Sequence, residues 1–126
     1  MKIETIHTTK APAAIGPYSQ AVRANGFLFV SGQIPLDPET GQPVGEDFAL
    51  QARQSLENVK QILLAAGSGL ENVVAVDVFI TDMSRFGEFN KVYETYFSSN
   101  KPARAVVEVG TLPRGVMVEV KCVALG

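Results

Sequence analysis

The sequence is poor in the residues that most often perform nucleophilic and metal-dependent chemistry. Its 126 residues include one cysteine, Cys122, one histidine, His7, and no tryptophan. A single cysteine excludes an intrachain disulfide and a cysteine-clustered metal site. A single histidine in a polar, threonine-rich stretch excludes a histidine cluster and leaves Ser-His and Cys-His catalysis without their parts. Any chemistry must therefore come from Arg, Glu, Asp, Tyr, Ser and main-chain groups.

Long apolar runs and a strong excess of charge are also absent. No stretch approaches the ~20 apolar residues needed to span a bilayer, and residues 1–6 lack the apolar region of a signal peptide. The 11 basic residues are scattered and the net charge is -2, which argues against non-specific binding of nucleic acid. We expect a cytoplasmic protein with one domain over residues 1–126, which is long enough to form one core.

Hydrophobic patterning predicts strands and helices in the order β-β-β-α-β-α-β-β. Six stretches have the alternating or β-branched pattern of strands: residues 2–7, 21–24, 27–32, 73–81, 103–109 and 116–124. Asn25-Gly26 favours a type I′ turn between the second and third of these. The fourth is almost continuously apolar, which predicts a central strand buried on much of both faces.

Two further stretches have the spacing of amphipathic helices. One runs from Asp47 to Ala66 and ends at Gly67, a good C-terminal stop. The other begins after Asp82 or Ser84 and has an apolar stripe, which consists of Phe86, Phe89, Val92, Tyr93 and Tyr96 or Phe97. Two helices of this size cover one face of one sheet, which predicts a two-layer α+β fold.

The other face of this sheet is then a candidate subunit interface. In the period-2 pattern of strands, Arg104, Val106 and Glu108 share one side, and Met117, Glu119, Lys121 and Val123 share one side of the last strand. We expect both sets on the uncovered face, which would mix charged and apolar groups.

Arg104 and Glu119 are the most informative charged residues, because each lies in a predominantly apolar strand. An ionised group among apolar neighbours loses hydration, at a cost of several kcal/mol unless a partner or ligand compensates it. The planar guanidinium of arginine suits a carboxylate. From these two strands alone, two interpretations stay open: each is a solvent-facing charge on a half-buried strand, or both belong to a site.

Several motifs along the chain carry a family resemblance. They are APAAIGPYSQ at residues 11–20, VSGQIP at 30–35, QARQSLENV at 51–59, PAR at 102–104, and the segment from Leu112-Pro113 to Glu119. With these motifs the chain resembles the Rid (reactive intermediate deaminase) family, and within it the RidA branch. The resemblance runs through nearly the whole chain.

The resemblance implies a chorismate-mutase-like fold with a mixed sheet of about six strands and two helices on one face. It also implies a homotrimer whose sheets line a central barrel, with sites in clefts between subunits. The implied activity is that of a 2-iminobutanoate/2-iminopropanoate deaminase. Such an enzyme hydrolyses enamines and imines released by pyridoxal-phosphate enzymes, including 2-aminoacrylate, to 2-oxo acids and ammonia.

By the same resemblance, Arg104 would clamp the substrate carboxylate and Glu119 would hold and polarise the attacking water. No metal or cofactor is then required, because a protonated imine is already electrophilic and the enzyme supplies positioning, one proton transfer and stabilisation of the adduct.

Four more residues receive roles from the resemblance. Tyr18 would close the cleft from a neighbouring subunit, Ser31 would bond near the substrate, and main-chain groups at Val106 would receive the imine nitrogen. Asn90 is a further candidate. The alternatives are a packed loop aromatic for Tyr18, a strand hydroxyl bonded to backbone for Ser31, and a helix-surface amide for Asn90.

One position departs from the family pattern, because many RidA members have cysteine where this chain has Val106. A role carried by the backbone survives this change, whereas thiol-dependent behaviour does not, since Cys122 has the opposite strand parity from Glu119 and is expected to point into the core. Two other functions stay open: a non-catalytic module that binds 2-oxo acids or a protein, and an endoribonuclease or translation inhibitor.

Overall fold

A computed structural model describes residues 2–126, and its elements follow the predicted order. The strands are β1 (Ile3–Ile6), β2 (Ala21–Ala24), β3 (Phe27–Gln33), β4 (Val73–Ile80), β5 (Ala103–Glu108) and β6 (Val118–Leu125). The helices are α1 (Phe48–Ala65) and α2 (Phe86–Tyr96), and short 3-10 turns occur at Leu70–Asn72, Met83–Arg85 and Pro113–Gly115. The predicted α+β class is confirmed.

The strands form one mixed sheet in the order β1-β2-β3-β6-β4-β5. Neighbours are antiparallel except β4 and β5, which are parallel. Two crossovers therefore run in the same direction across the sheet, from β3 through α1 to β4 and from β4 through α2 to β5. Because such connections are right-handed, both helices pack on the same face, as predicted.

Local sequence signals account for the ends of these elements. Asn25 and Gly26 have φ angles of 52° and 80°, which is the conformation that a type I′ turn requires. Helix α1 begins after Asp47, whose carboxylate accepts a hydrogen bond from the N–H of Leu50 at 2.9 Å. It ends at Ala65 with Ala66 as the C-cap, and Gly67 follows with a φ of 80°, which allows the chain to leave the helix.

The core lies between the helices and the covered face of the sheet. It includes Cys122, which is 1% exposed, as the strand parity predicted. The prediction that β4 is buried on much of both faces is wrong. Val76, Val78 and Ile80 are buried, but Ala75, Asp77 and Phe79 are only half-buried, because no helix covers their side. Within residues 2–126, neither helix is long and apolar enough to cross a membrane.

The predicted position of Arg104 on the uncovered face is also wrong. Arg104 pairs with Val76, and Val106 pairs with Val78, so these side chains share the helix-covered side of the sheet. Glu108 pairs with Ile80 and lies on the same side. Glu119, Lys121 and Val123 do lie on the open face, as predicted, since they pair with Phe79, Asp77 and Ala75. The alternation of β5 fixed which residues share a side, but not which side a helix covers.

Buried carboxamides hold the loops around the end of β3. Gln20, only 2% exposed, accepts a hydrogen bond from the N–H of Thr8 and donates to the carbonyl oxygens of Thr8, Ala11 and Pro12. These hydrogen bonds join the two ends of the loop that contains Tyr18, because Gln20 lies after Tyr18 and its partners lie before it. A buried amide with all its partners is stabilising, whereas its removal leaves several backbone groups without partners.

Two amides of α1 act in the same way on the other loops. Gln51 donates to the carbonyl oxygen of Gly45 at 2.6 Å and accepts from the N–H of Met117 at 2.8 Å. Asn58 donates to the carbonyl oxygens of Ile34 and Leu36. Helix α1 therefore fixes the segment after β3 and the start of β6.

We expect Gln20→Leu to lower the free energy of unfolding by about 3 kcal/mol, because the similar-sized side chain leaves buried backbone N–H and C=O groups unpaired. Urea unfolding at one protein concentration measures the change. Gln61→Leu is the matched control, since this half-buried amide bonds only the Glu57 carboxylate, and its effect should stay within about 0.5 kcal/mol. Equal effects of the two substitutions would contradict the role given to Gln20.

Candidate active site

A β-bulge in β3 shapes the first part of the candidate site. Val30 pairs with Cys122 and Gln33 pairs with Val120, so Ser31 and Gly32 together lie opposite the single residue Lys121. Bulges re-aim side chains and are common next to active sites. Here the bulge brings the backbone of Gly32 against a side chain of β6, that of the open-face residue two positions before Lys121.

That side chain is Glu119, whose carboxylate rests directly on Gly32. A Cβ atom at position 32 would overlap Oε2 of Glu119, so only glycine leaves room for this carboxylate. Burial raises the pKa of Glu119 above its usual value, and the positive charge of Lys121 partly opposes this shift. Since no ion pair holds Glu119 in the described chain, its carboxylate is available to a ligand.

Tyr18 and Ser31 lie near Gly32, the residue on which this carboxylate rests. Both line a groove of about 490 Å³ on the open face of the sheet, together with Gly32 and Lys121. The hydroxyl of Ser31 donates to the carbonyl oxygen of Ser19 at 2.6 Å, as the strand-hydroxyl alternative predicted. Its oxygen can still accept one hydrogen bond. Tyr18 is 53% exposed, so the alternative of a packed aromatic does not describe it within this chain.

An apolar pocket of about 280 Å³ adjoins the other side of Gly32 and Tyr18. Its walls come from the loops that the buried carboxamides hold, and they include Pro12, Ile15, Ile34, Leu36 and Pro113. A pocket with mostly apolar walls next to a partly desolvated carboxylate is typical of small-molecule sites.

Arg104 forms the centre of a second group on the other face. Its Nη1 donates to Oδ1 of Asn90 at 2.8 Å, and its Cζ lies 4.7 Å from the ring centroid of Tyr93 and 5.6 Å from that of Phe86. Asn90 is therefore more than a surface amide, because it orients the guanidinium. Within residues 2–126 Arg104 makes no ion pair, so the remaining N–H donors of this fixed cation can receive an anion.

Val106 lies two residues further along the same edge strand. The N–H of Val109 bonds the carbonyl oxygen of Ile80, so by alternation the main-chain groups of Val107 and Ala105 also face β4. The N–H and C=O of Val106 then point away from the sheet. They lie on the same edge as Arg104 and suit the contact with a substrate nitrogen that the resemblance implies.

The predicted residues thus form two groups in one chain. Tyr18, Ser31 and Glu119 lie at the open face, whereas Asn90, Arg104 and Val106 lie at the edge strand on the helix side. Strand β4 separates β5 from β6, so a single chain does not bring the carboxylate and the guanidinium together.

Sequence reasoning missed three residues of the site. Gly32 was seen only as part of a motif, although a glycine inside an apolar strand is a signal for a bulge or a close approach. Phe86 and Tyr93 were predicted as members of a buried stripe, but Phe86 is 38% exposed and both rings stack on Arg104. The spacing of α2 gives no sign of this contact, because Arg104 belongs to another element.

Comparisons with known proteins match this fold and these motifs. Residues 8–125 match the family described as Endoribonuclease L-PSP. The 2-iminobutanoate/2-iminopropanoate deaminase of Mus musculus is 48% identical over 122 residues, which cover 97% of this chain and 90% of the mouse protein.

Two solved structures are similar over almost their full length. YyfA of Yersinia pestis, a member of the Rid protein family, has a TM-score of 0.97 at 43% identity, with 99% of this chain and 100% of that chain covered. TdcF of E. coli with bound serine has a TM-score of 0.93 at 42% identity, with 98% of each chain covered.

We expect Gly32→Ala to displace the Glu119 carboxylate, because the new methyl overlaps it, and to change the free energy of unfolding by less than about 1 kcal/mol, because the overlapped atoms are the movable end of a flexible side chain. A crystal structure and urea unfolding of the variant measure both effects. Gly87→Ala is the control: this helical glycine has open space around it, so alanine should be neutral or stabilising. An unmoved Glu119 in Gly32→Ala would contradict the prediction.

Proposed function

Since the chain belongs to the Rid family, we propose that it is a 2-iminobutanoate/2-iminopropanoate deaminase, which hydrolyses 2-imino acids and their enamine tautomers to 2-oxo acids and ammonia. The observation that carries this proposal is the guanidinium of Arg104, which Asn90 and two aromatic rings hold in place without a carboxylate partner in the described chain. Such a cation suits the carboxylate that every 2-imino acid carries. The name of the mouse relative and the serine bound to TdcF support the same ligand class.

We propose further that the complete site forms between two copies of the chain in a homotrimer. One copy supplies Arg104 from its edge strand, and its neighbour supplies Glu119 from its open face. This contact joins two different patches, and a heterologous contact that closes forms a ring. Exposed apolar side chains on the open face support burial in such an assembly, because Phe27, Phe29, Val107 and Leu125 are 37% to 48% exposed.

In this site Arg104 binds the substrate carboxylate through parallel N–H···O bonds, which fixes C2 of the imine relative to the water. The outward carbonyl of Val106 accepts a hydrogen bond from the iminium N–H and keeps the nitrogen protonated. This contact is made by the main chain, so a valine side chain at position 106 does not prevent it.

Glu119 acts as the base. The water oxygen bonds to C2, the electrons of the C=N π bond move to nitrogen, and the water proton moves to the Glu119 carboxylate. The protonated Glu119 then returns this proton to the amine nitrogen. The C–N bond breaks with its electron pair going to nitrogen, the hydroxyl proton moves to the Glu119 carboxylate as the oxygen becomes the carbonyl, and the departing ammonia takes this proton from Glu119 and leaves as ammonium. The raised pKa of Glu119 suits this exchange, because it makes the carboxylate a better base than a solvated one.

We do not expect a thiol to contribute to this reaction. Cys122 lies in the core, and burial raises the pKa of its thiol to about 12, so it stays protonated and unreactive near neutral pH. The substrate side chain would occupy the apolar pocket beside Gly32, which adjoins the carboxylate that holds the water.

The proposal is tested with a pyridoxal-phosphate threonine dehydratase, threonine and semicarbazide, which traps the released imine as a semicarbazone. Wild-type protein should suppress the semicarbazone signal. Arg104→Ala should lower the rate of imine hydrolysis at least ~100-fold, because the clamp is lost. Arg53→Ala, which removes an exposed arginine of α1, is the control and should behave as wild type. Absence of suppression by wild type would overturn the deaminase and favour a binding module.

Subunit complementation tests the site between copies. Arg104→Ala and Glu119→Gln should each be nearly inactive alone. When the two variants are unfolded together and refolded in equal amounts, about one quarter of the sites should combine an intact Arg104 with an intact Glu119 from the neighbour. The mixture should therefore recover about that share of wild-type activity. The control is Arg104→Ala refolded with a chain that carries both substitutions, a mixture in which no site can be complete. A shared site would be contradicted if the mixture of the two single variants were no more active than this control.

A further inference from the structure

Helix α2 and the residue that follows it carry a column of three aromatic rings, of which one, Tyr93, contacts Arg104. Phe89, Tyr93 and Phe97 follow at intervals of four residues, and the ring centroids are 5.7 Å and 4.7 Å apart. Their exposures are 0%, 9% and 4%, so the column is fixed in the core. Rings stacked in this way have little freedom to rotate or shift.

Arg104 lies against this column. Its Cζ is 4.7 Å from the centroid of Tyr93, which is closer than its 5.6 Å distance from the half-exposed ring of Phe86. Among residues 2–126, these are the two rings on which the guanidinium stacks. Tyr93 is the one of the two that the core immobilises, because Phe86 is 38% exposed.

The single hydrogen bond that Arg104 donates to Asn90 cannot fix the guanidinium by itself. A side chain with four rotatable bonds that is bonded at one nitrogen can still turn about that bond. The face of an immobile ring removes this freedom, since the cation is most favourable over the ring. The hydrogen bond fixes the position of one guanidinium nitrogen, and the ring fixes the plane of the guanidinium. Bidentate binding of a carboxylate requires both.

The hydroxyl of Tyr93 takes no part in this arrangement. It is buried and has no hydrogen-bond partner in the described part of the chain. Burial also raises the pKa of Tyr93, so the side chain is a neutral phenol near neutral pH. The contribution to Arg104 therefore comes from the ring, and phenylalanine would supply it equally well.

We propose that Tyr93 is a positioning residue, whose ring holds the plane of the Arg104 guanidinium ready for the carboxylate of the ligand. This inference rests on the proposed function, because it assigns the ligand of Arg104 to the same class. It predicts a loss of carboxylate binding when the ring is removed and no loss when only the hydroxyl is removed.

The test compares Tyr93→Leu, Tyr93→Phe and Phe97→Leu. Phe97 is the matched control, because it belongs to the same column and is similarly buried but is not one of the rings stacked on Arg104. We measure KM and kcat for the imine of threonine, the Kd of 2-oxobutanoate by calorimetry, and the Tm of each variant.

Tyr93→Leu should raise KM and Kd about ten-fold and change kcat by less than about two-fold, because binding of the carboxylate weakens equally in ground and transition states. Tyr93→Phe should bind as wild type. Phe97→Leu should lower Tm as Tyr93→Leu does and raise Kd by less than about two-fold, because the Tyr93 ring stays against the guanidinium and keeps its packing on Phe89. An equal rise of Kd in both leucine variants, or a rise in Tyr93→Phe, would overturn the positioning role.

Failure of the proposed function gives a different result. If wild type binds 2-oxobutanoate but hydrolyses no imine, the deaminase is rejected, and the order of the Kd values still decides the role of Tyr93. If wild type binds no 2-oxobutanoate at all, the carboxylate ligand and the positioning role are both overturned.

Discussion

The packing of both helices on one face of the sheet determines where every functional group lies. It follows from two right-handed crossovers that run in the same direction across the sheet. Side chains of the sheet are thereby divided into a covered set, with Arg104 at its edge, and an open set, with Glu119 near its centre. The Glu119 carboxylate and the Arg104 guanidinium are kept on opposite sides of a single chain, so the proposed reaction requires the association of copies.

The site also depends on contacts that are not themselves reactive. Buried amides hold the loops around the bulge in β3, and this bulge gives the Glu119 carboxylate its place on Gly32. On the other side, α2 provides Asn90 and the aromatic rings that orient Arg104. Arg104 and Glu119 each belong to a strand, but contacts with other elements, helix α2 for Arg104 and the bulge in β3 for Glu119, set the direction of the side chain. Such support is what keeps a polar site ordered before the ligand arrives.

Much of the fold could be predicted from the sequence, because its elements have strong local signals. Asn25-Gly26 specifies its turn, Asp47 and Gly67 bound α1, and the parity of β6 places Cys122 in the core. The side on which Arg104 lies could not be predicted, since alternation groups residues without saying which group a helix covers. Arg104 and Glu119 stand out in the sequence as charges within apolar strands, whereas their roles and the other site residues came from the family resemblance. The stacking of Arg104 on α2 depends on tertiary contacts that no spacing along the chain reveals.

The burial of the one cysteine has a practical value for spectroscopy. Cys122 lies in the core with a thiol that stays protonated, so the folded chain offers no reactive sulfur to a maleimide or a spin label. A cysteine introduced at an exposed position, for example in the loop beside Tyr18, would then be the single labelling point without any need to replace the native one. Distances between such labels on different copies would report directly how the chains are arranged around one another in solution.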